Sequence, residues 1–335
     1  MRDAANLHVA VAGGGSWGTA LAHVLATAGH DVTLVLRDDA VARAIAERHE
    51  NPRYLPGKRL HEGVRASTAS DVLKDCEVLV LAVPCQHQRS WLRSARPLIG
   101  KDTVIVNASK GLENGSCLPM SRVVAEELSL PSGRYAVLSG PSFAAEVLDG
   151  QPTAVVLGCE NDDLGAALRN IFSTPLFRCY SSTDVTGGAM GGALKNVLAM
   201  PAGVCDGLGF GSNARAALIT RGLAELSRLG TAMGAHPLTF MGLSGLGDLV
   251  LTCTGGLSRN RQVGLRLGRG ETLESIVGSL GMVAEGVKTA EAARTLAERL
   301  HVSAPVTEAV CRILQNDAPA VDAVRELMDR PLKEE

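Results

Sequence analysis

The chain has 335 residues, a length that predicts about two domains, each able to bury its own core. Its 33 Lys plus Arg against 35 Asp plus Glu give a formal net charge of −2. That balance excludes the broad basic face of a nucleic-acid binder or of a protein held on an anionic membrane. Eight cysteines lie far apart without a C-x-x-C, and eight histidines show no ligand spacing, so neither a disulfide framework nor a metal site is expected. No apolar run approaches a membrane span and no signal-peptide pattern opens the chain, so a cytoplasmic protein is expected.

Leu7 to Ala12 reads as a strand buried on both faces, and Gly13, Gly15 and Gly18 after it spell G-x-G-x-x-G. Trp17, Ala20, Leu21, Val24, Leu25 and Ala28 then recur at helical spacing until Gly29, and Val32 to Leu36 is a second strand. A dinucleotide-binding unit has this order: Gly13 permits the tight turn, Gly15 lets the backbone approach a pyrophosphate, and Gly18 allows close helix–strand packing. The helix start offers N–H groups and a positive dipole end to the phosphates. The second strand is expected to end in Arg37, about twenty residues past the glycines, where NAD enzymes commonly place an acid for the ribose 2′-hydroxyl. Arginine favours a 2′-phosphate instead. NADP(H) is therefore the preferred cofactor and NAD(H) a possible one, with Asp38 and Asp39 still within reach of the ribose.

Asn51 to Gly57 (NPRYLPG) is a turn-rich connection, and Asp71 is expected to cap a short helical turn. Val78 to Val83, Val104 to Val106, Ala136 to Leu138, Ala154 to Leu157 and Leu176 to Tyr180 read as further strands. Strands alternating with helices predict an α/β doubly wound sheet, whose ligands bind outside the carboxyl ends of the strands. Gly13, Arg37, Pro84, Lys110 and Gly140 fall at such ends. Near Asp184 the pattern changes, and Met190 to Val204, Ala214 to Met233, Gln262 to Leu267, Glu291 to Leu300 and Val306 to Leu314 read as helix. The expected architecture is an N-terminal Rossmann-type doubly wound sheet, residues 1–188, that binds NAD(P). An all-helical C-terminal domain, residues 189–335, follows for the substrate. Gly187, Gly188, Gly191 and Gly192 leave the junction bare, and Pro201 is expected to kink the helix after it.

Lys195, in GGALKN, has only small or apolar neighbours, and a cation there is costly without a role or a partner. Asn196 is placed for a different contact. Lys110, in Ser-Lys-Gly after a strand, faces the ligand crevice. Asp248 opens an apolar stretch, either as an N-cap or as the partner of a buried lysine. Ser258-Arg259-Asn260-Arg261 puts donors at a helix start, which suits a phosphate through the dipole and a forked guanidinium. His23 reads as packed, and the absence of G-x-S-x-G argues against a serine hydrolase. These residues alone leave three readings open: an NADP-linked dehydrogenase of a small phosphorylated carbonyl, a hydroxyacid dehydrogenase of the same plan, and a catalytically silent NADP(H) sensor.

Eight segments carry a resemblance: GGGSWGTALA, NPRYLPG, SKGLE from Ser109, SGPSFAAEV from Ser139, GGALKN from Gly191, ARAALITRGLAELSRLG from Ala214, GLGDLVLTCTGGLSRNR from Gly245 and VAEGVKTA from Val283. Almost end to end, the chain resembles bacterial NAD(P)-dependent glycerol-3-phosphate dehydrogenase. The resemblance implies reduction of dihydroxyacetone phosphate to sn-glycerol 3-phosphate for phospholipid synthesis, in a cytoplasmic homodimer. It implies Lys195 as catalytic acid/base, with Lys110, Gly140, Ser142, Asp248, Ser258, Arg259 and Asn260 holding the substrate. Ser16, Trp17, Arg37, Lys110, Ala144, Arg259, Val283 and Glu285 would meet the cofactor, so Arg259 touches both ligands in that pattern. Three opening glycines, Cys85 after Val-Pro and Pro201 within a helix depart from the family.

Overall fold

The apolar run after Leu7 forms β1 (His8–Ala12), a buried inner strand of the sheet that pairs in parallel with a neighbour on each side. The computed structural model describes residues 6–129, 133–280, 284–316 and 318–328. After β1 come α1 (Ser16–Thr27), β2 (Asp31–Val35), α2 (Asp39–Arg48), β3 (Val64–Ser67), β4 (Val78–Leu81), α3 (Cys85–Ala95) and β5 (Val104–Asn107). They are followed by α4 (Met120–Leu128), β6 (Tyr135–Ser139), α5 (Ala144–Leu148), β7 (Thr153–Gly158), α6 (Asp162–Phe172) and β8 (Phe177–Ser182).

Strand order is β3-β2-β1-β4-β5-β6-β7-β8, with β1 to β6 parallel and β7 antiparallel to β6. The order reverses between β1 and β4, the switch point of a Rossmann-type sheet. Val9, Val11, Leu34, Val78, Val80, Val106 and Leu138 form its core with Leu21 and Leu25 of α1. Helix-covered parallel strands bury both faces, which is why they read as unbroken apolar runs.

The second region is helical: α7 (Val185–Gly207), α8 (Ser212–Ala232), α9 (Asp248–Thr254), α10 (Arg259–Gly268), α11 (Leu273–Leu280), α12 (Glu285–Arg299), α13 (Pro305–Leu314) and α14 (Ala320–Met328). Its core gathers Leu194, Leu198, Leu226, Leu229, Phe240, Leu249 and Leu296. The chain separates into two compact units, Met1–Lys110 with Met120–Ala189, and Gly111–Pro119 with Met190–Glu335. The dividing point thus lies inside α7. A single cut at 188/189 does not include the excursion Gly111–Pro119, whose Leu112 and Cys117 join the helical core and whose Ser116 carbonyl accepts from Arg299 at 3.0 Å.

Several local expectations change. β2 ends at Val35, two residues before Arg37, and β4 ends at Leu81 instead of Val83. The 3₁₀ turn Ser70–Leu73 has Ala69 as its cap, with Asp71 inside its first turn. α7 starts before Met190 and contains Pro201. All eight cysteines are free and buried. Burial pushes the thiols of Cys76, Cys205 and Cys311 up to about 11 and those of Cys179 and Cys253 up to about 12.

Candidate active site

In the first unit the glycine turn is built as a tight corner. Gly13 has φ +116°, and a Cβ there would lie 2.5 Å from the Ala82 carbonyl oxygen after β4. A Cβ on Gly18 would lie 2.0 Å from the Gly13 carbonyl oxygen, so α1 starts in contact with the turn itself. Gly15, the N-cap of α1, is different: nothing lies within 4 Å of where its Cβ would be. This open space before the first N–H groups of α1, at Ser16 and Trp17, fits the pyrophosphate of a dinucleotide. Trp17 Nε1 is buried with no hydrogen-bond partner among the described residues.

Arg37 is exposed just past β2 and, among the described residues, forms no hydrogen bond or ion pair. The two acids after it are occupied. Asp38 caps α2 through the N–H groups of Ala40 and Val41, and Asp39 accepts from Thr68 Oγ1 at 2.8 Å. Of these three charged side chains, Arg37 is the one that forms no hydrogen bond among the described residues.

At the carboxyl ends of β5 and β6, Lys110, Gly140 and Ser142 come together. The Gly140 carbonyl accepts from Lys110 Nζ at 3.2 Å and from Ser142 Oγ at 3.1 Å. Gly140 has φ +135°, a conformation that favours glycine, and a Cβ there would lie 3.0 Å from Val155 Cα. Ala144 is the first residue of α5, close behind this group.

In the second unit, Lys195 lies buried on α7 and forms an ion pair with Asp248, which has no solvent exposure. Asp248 is the first residue of α9, whose N-cap is Gly247, so its side chain serves as lysine partner and not as cap. A Cβ on Gly191 would lie 2.1 Å from the Ser244 carbonyl oxygen, so α7 is pressed against the turn that delivers Asp248. Glycines also bring α7 and α10 into backbone contact: a Cβ on Gly203 would meet the Arg261 carbonyl oxygen at 2.0 Å, and one on Gly264 the Met200 carbonyl oxygen at 1.9 Å.

Ser258 caps α10, accepting from the Arg261 N–H at 3.2 Å, and Arg259 begins the helix. Arg259 is exposed, so the lowering of its guanidinium pKa by desolvation reflects local crowding and not full burial; the Glu285 carboxylate acts against it. Both ends of the Asn260 amide are engaged: Nδ2 donates to Asn196 Oδ1 at 2.9 Å and Oδ1 accepts from the Gly286 N–H at 2.9 Å. An amide has two N–H groups and two oxygen lone pairs, so these two bonds leave capacity for a ligand in the first turn of α10. Its amide also ties Asn196 to the start of α12, where Glu285 stands. Val283 lies outside the described residues.

The sequence did not single out Asn51, whose fully buried side chain donates to the Gly14 carbonyl and to Thr19 Oγ1. An asparagine before a proline reads as ordinary turn chemistry, and nothing local signals that it reaches the glycine turn.

Residues 8–165 match the family model described as NAD-dependent glycerol-3-phosphate dehydrogenase N-terminus, and residues 184–325 match the one for its C-terminus. The chain is 60% identical over 329 residues to the protein of Desulfovibrio desulfuricans named glycerol-3-phosphate dehydrogenase (NAD(P)+), covering 98% of this chain and 99% of that one. A protein of Nitratidesulfovibrio vulgaris with the same name is 58% identical over 330 residues, covering 98% of this chain and all (100%) of the relative. The crystal structure of glycerol-3-phosphate dehydrogenase from Coxiella burnetii superposes with a TM-score of 0.92 at 39% identity, covering 97% of this chain and 99% of that one. The chain belongs to the NAD-dependent glycerol-3-phosphate dehydrogenase family.

Proposed function

We propose that this chain reduces dihydroxyacetone phosphate to sn-glycerol 3-phosphate with NAD(P)H, for glycerophospholipid synthesis, using Lys195 as the proton donor. The observation that carries the assignment is the buried Lys195–Asp248 ion pair. A buried ammonium needs a compensating group, and here that group also holds it in place. When bound, the reduced nicotinamide supplies the hydride. Lys195 Nζ gives its proton to the carbonyl oxygen of the substrate as negative charge develops there, and Asp248 keeps the amine aimed. In the reverse direction Lys195 takes the proton back.

The start of α10, with Ser258, Arg259 and Asn260, holds the substrate phosphate through its dipole end and the Arg259 fork. Lys110, Gly140 and Ser142 form the other substrate contacts in this reading. Gly13, Gly15, Ser16, Trp17 and Gly18 cradle the dinucleotide, and Arg37 gives NADPH its preference over NADH. Lys110, Ala144, Arg259, Val283 and Glu285 complete the cofactor contacts as the family resemblance assigns them.

Substrate-dependent oxidation of NADPH tests the reading. Turnover with dihydroxyacetone phosphate and none with 3-oxo acids is expected. The opposite preference would make the chain a hydroxyacid dehydrogenase, and no turnover with either would leave a sensor. No helix among the described residues is long and apolar enough to cross a membrane. The reading includes a cytoplasmic homodimer, for which light scattering should return twice the mass of the chain.

A further inference from the structure

The connection Asn51–Gly57 is fastened beside the strand end that carries Arg37. Asn51 Nδ2 donates to the Gly14 carbonyl at 3.0 Å and to Thr19 Oγ1 at 2.8 Å, and its Oδ1 accepts the Tyr54 N–H at 3.2 Å. Ser16 Oγ donates to the Tyr54 carbonyl at 3.2 Å. Arg53 is held between these anchors. Its Nη1 donates to Asp38 Oδ2 at 2.9 Å, and its guanidinium lies 5.4 Å from the centre of the Tyr54 ring. The other oxygen of Asp38 caps α2, taking the N–H groups of Ala40 at 3.0 Å and Val41 at 3.2 Å.

An acid at this strand end is what an NAD enzyme uses to accept from the ribose 2′-hydroxyl, and its charge repels a 2′-phosphate. Asp38 stands one residue from Arg37, well within the screening length of about 8–10 Å at physiological salt. We propose that Arg53 is a specificity-determining residue for the cofactor: its ion pair holds the Asp38 carboxylate on the α2 cap and cancels its charge, so that a 2′-phosphate is accepted beside Arg37. This rests on the reading of Arg37 as the phosphate partner. The Val41 N–H, the Arg53 hydrogen bond and the Ala40 N–H all hold the Asp38 carboxyl below its usual range, so it stays charged and engaged. An exposed ion pair adds little to stability. The effect of this one lies in the local potential.

Calorimetric titration of the full chain with 2′,5′-ADP and with 5′-AMP separates the phosphate from the rest of the nucleotide. Arg53→Ala should weaken 2′,5′-ADP by about fivefold, a size typical of one exposed charge contact, while 5′-AMP changes by less than about twofold. Asp38→Asn keeps a capping side chain but removes the charge, so the double variant Arg53→Ala/Asp38→Asn should bind 2′,5′-ADP as the unaltered chain does. 5′-AMP reports folding in every variant. Arg37→Ala, run alongside, tests the underlying reading separately: equal affinity for both nucleotides in the unaltered chain and in Arg37→Ala removes Arg37 as the phosphate partner. Unchanged 2′,5′-ADP affinity in Arg53→Ala, or a double variant as weak as the single one, would overturn the role of Arg53.

Discussion

Lys195 on α7 and Asp248 at the start of α9 form a buried ion pair in which the carboxylate is wholly shielded from solvent. Removing one member leaves the other uncompensated, which typically costs about 3–5 kcal/mol. Lys195→Ala should therefore lose stability as well as a hundredfold or more in kcat, a typical size for a positioned acid. Lys195→Met/Asp248→Asn should regain much of the stability and none of the turnover. Melting curves beside kcat decide the matter: activity that returns together with stability would take Lys195 out of the chemistry.

Arg259 is the exposed fork at the start of α10. Arg259→Lys keeps the charge and loses the planar pair of donors. For dihydroxyacetone phosphate kcat/KM should fall roughly tenfold or more, and for unphosphorylated dihydroxyacetone much less. Equal losses would move phosphate recognition elsewhere, with Lys110 the next candidate.

Two glycines of the fingerprint should separate by experiment. Gly18→Ala drives a methyl group into the Gly13 carbonyl and should cost about 1–3 kcal/mol of stability, the usual range for overpacking. Gly15→Ala meets nothing within 4 Å and should leave the melting temperature nearly unchanged while weakening NADPH binding. Fluorescence titration of NADPH with each variant checks this, and a Gly15→Ala chain that binds normally would shift the pyrophosphate away from α1.

Glu225 of α8 is buried and receives the N–H groups of Val306 and Thr307 at 2.8 and 2.9 Å, at the start of α13. Burial raises its carboxyl pKa, with the Thr307 hydroxyl and the two N–H donors acting against that. A folded value above the unfolded one means the native state binds more protons between the two. The contribution to stability is then full below the ordinary glutamate range and declines as pH rises through the raised value. The stability difference between the unaltered chain and Glu225→Gln should shrink over that window and be flat above it. Urea unfolding at a series of pH values measures it, and a difference that grows with pH would reverse the assignment.

The sequence made the sheet legible where burial on both faces left unbroken apolar runs, as in Val78–Leu81 and Val104–Asn107. β3, Val64–Ser67, escaped because an edge strand with Arg65 exposed and only Val64 fully buried carries no such run. The antiparallel entry of β7 is set by chain path, which periodicity does not encode. α9 and α11 are short and their apolar stripes are brief, so helical spacing alone does not announce them. In the candidate site, Lys195 is legible because a lone cation among small residues demands a partner, and partner of a buried lysine is one of the two readings open to Asp248, the other being an N-cap. Contacts between residues remote in sequence, Asn51 with Gly14 and Asn260 with Asn196, have no local signature.

The eight buried thiols have a practical consequence for anyone who wants to follow this protein with a probe. Maleimides and iodoacetamides react with an accessible thiolate. At neutral pH the native cysteines offer neither access nor, for the five pushed up to about 11 or 12, a useful thiolate fraction. A cysteine introduced on an exposed face then becomes the only reactive handle of the folded chain. Dyes can be attached at chosen positions in either unit with all eight natural cysteines left in place, and the unfolded chain will announce itself by taking up label at every one.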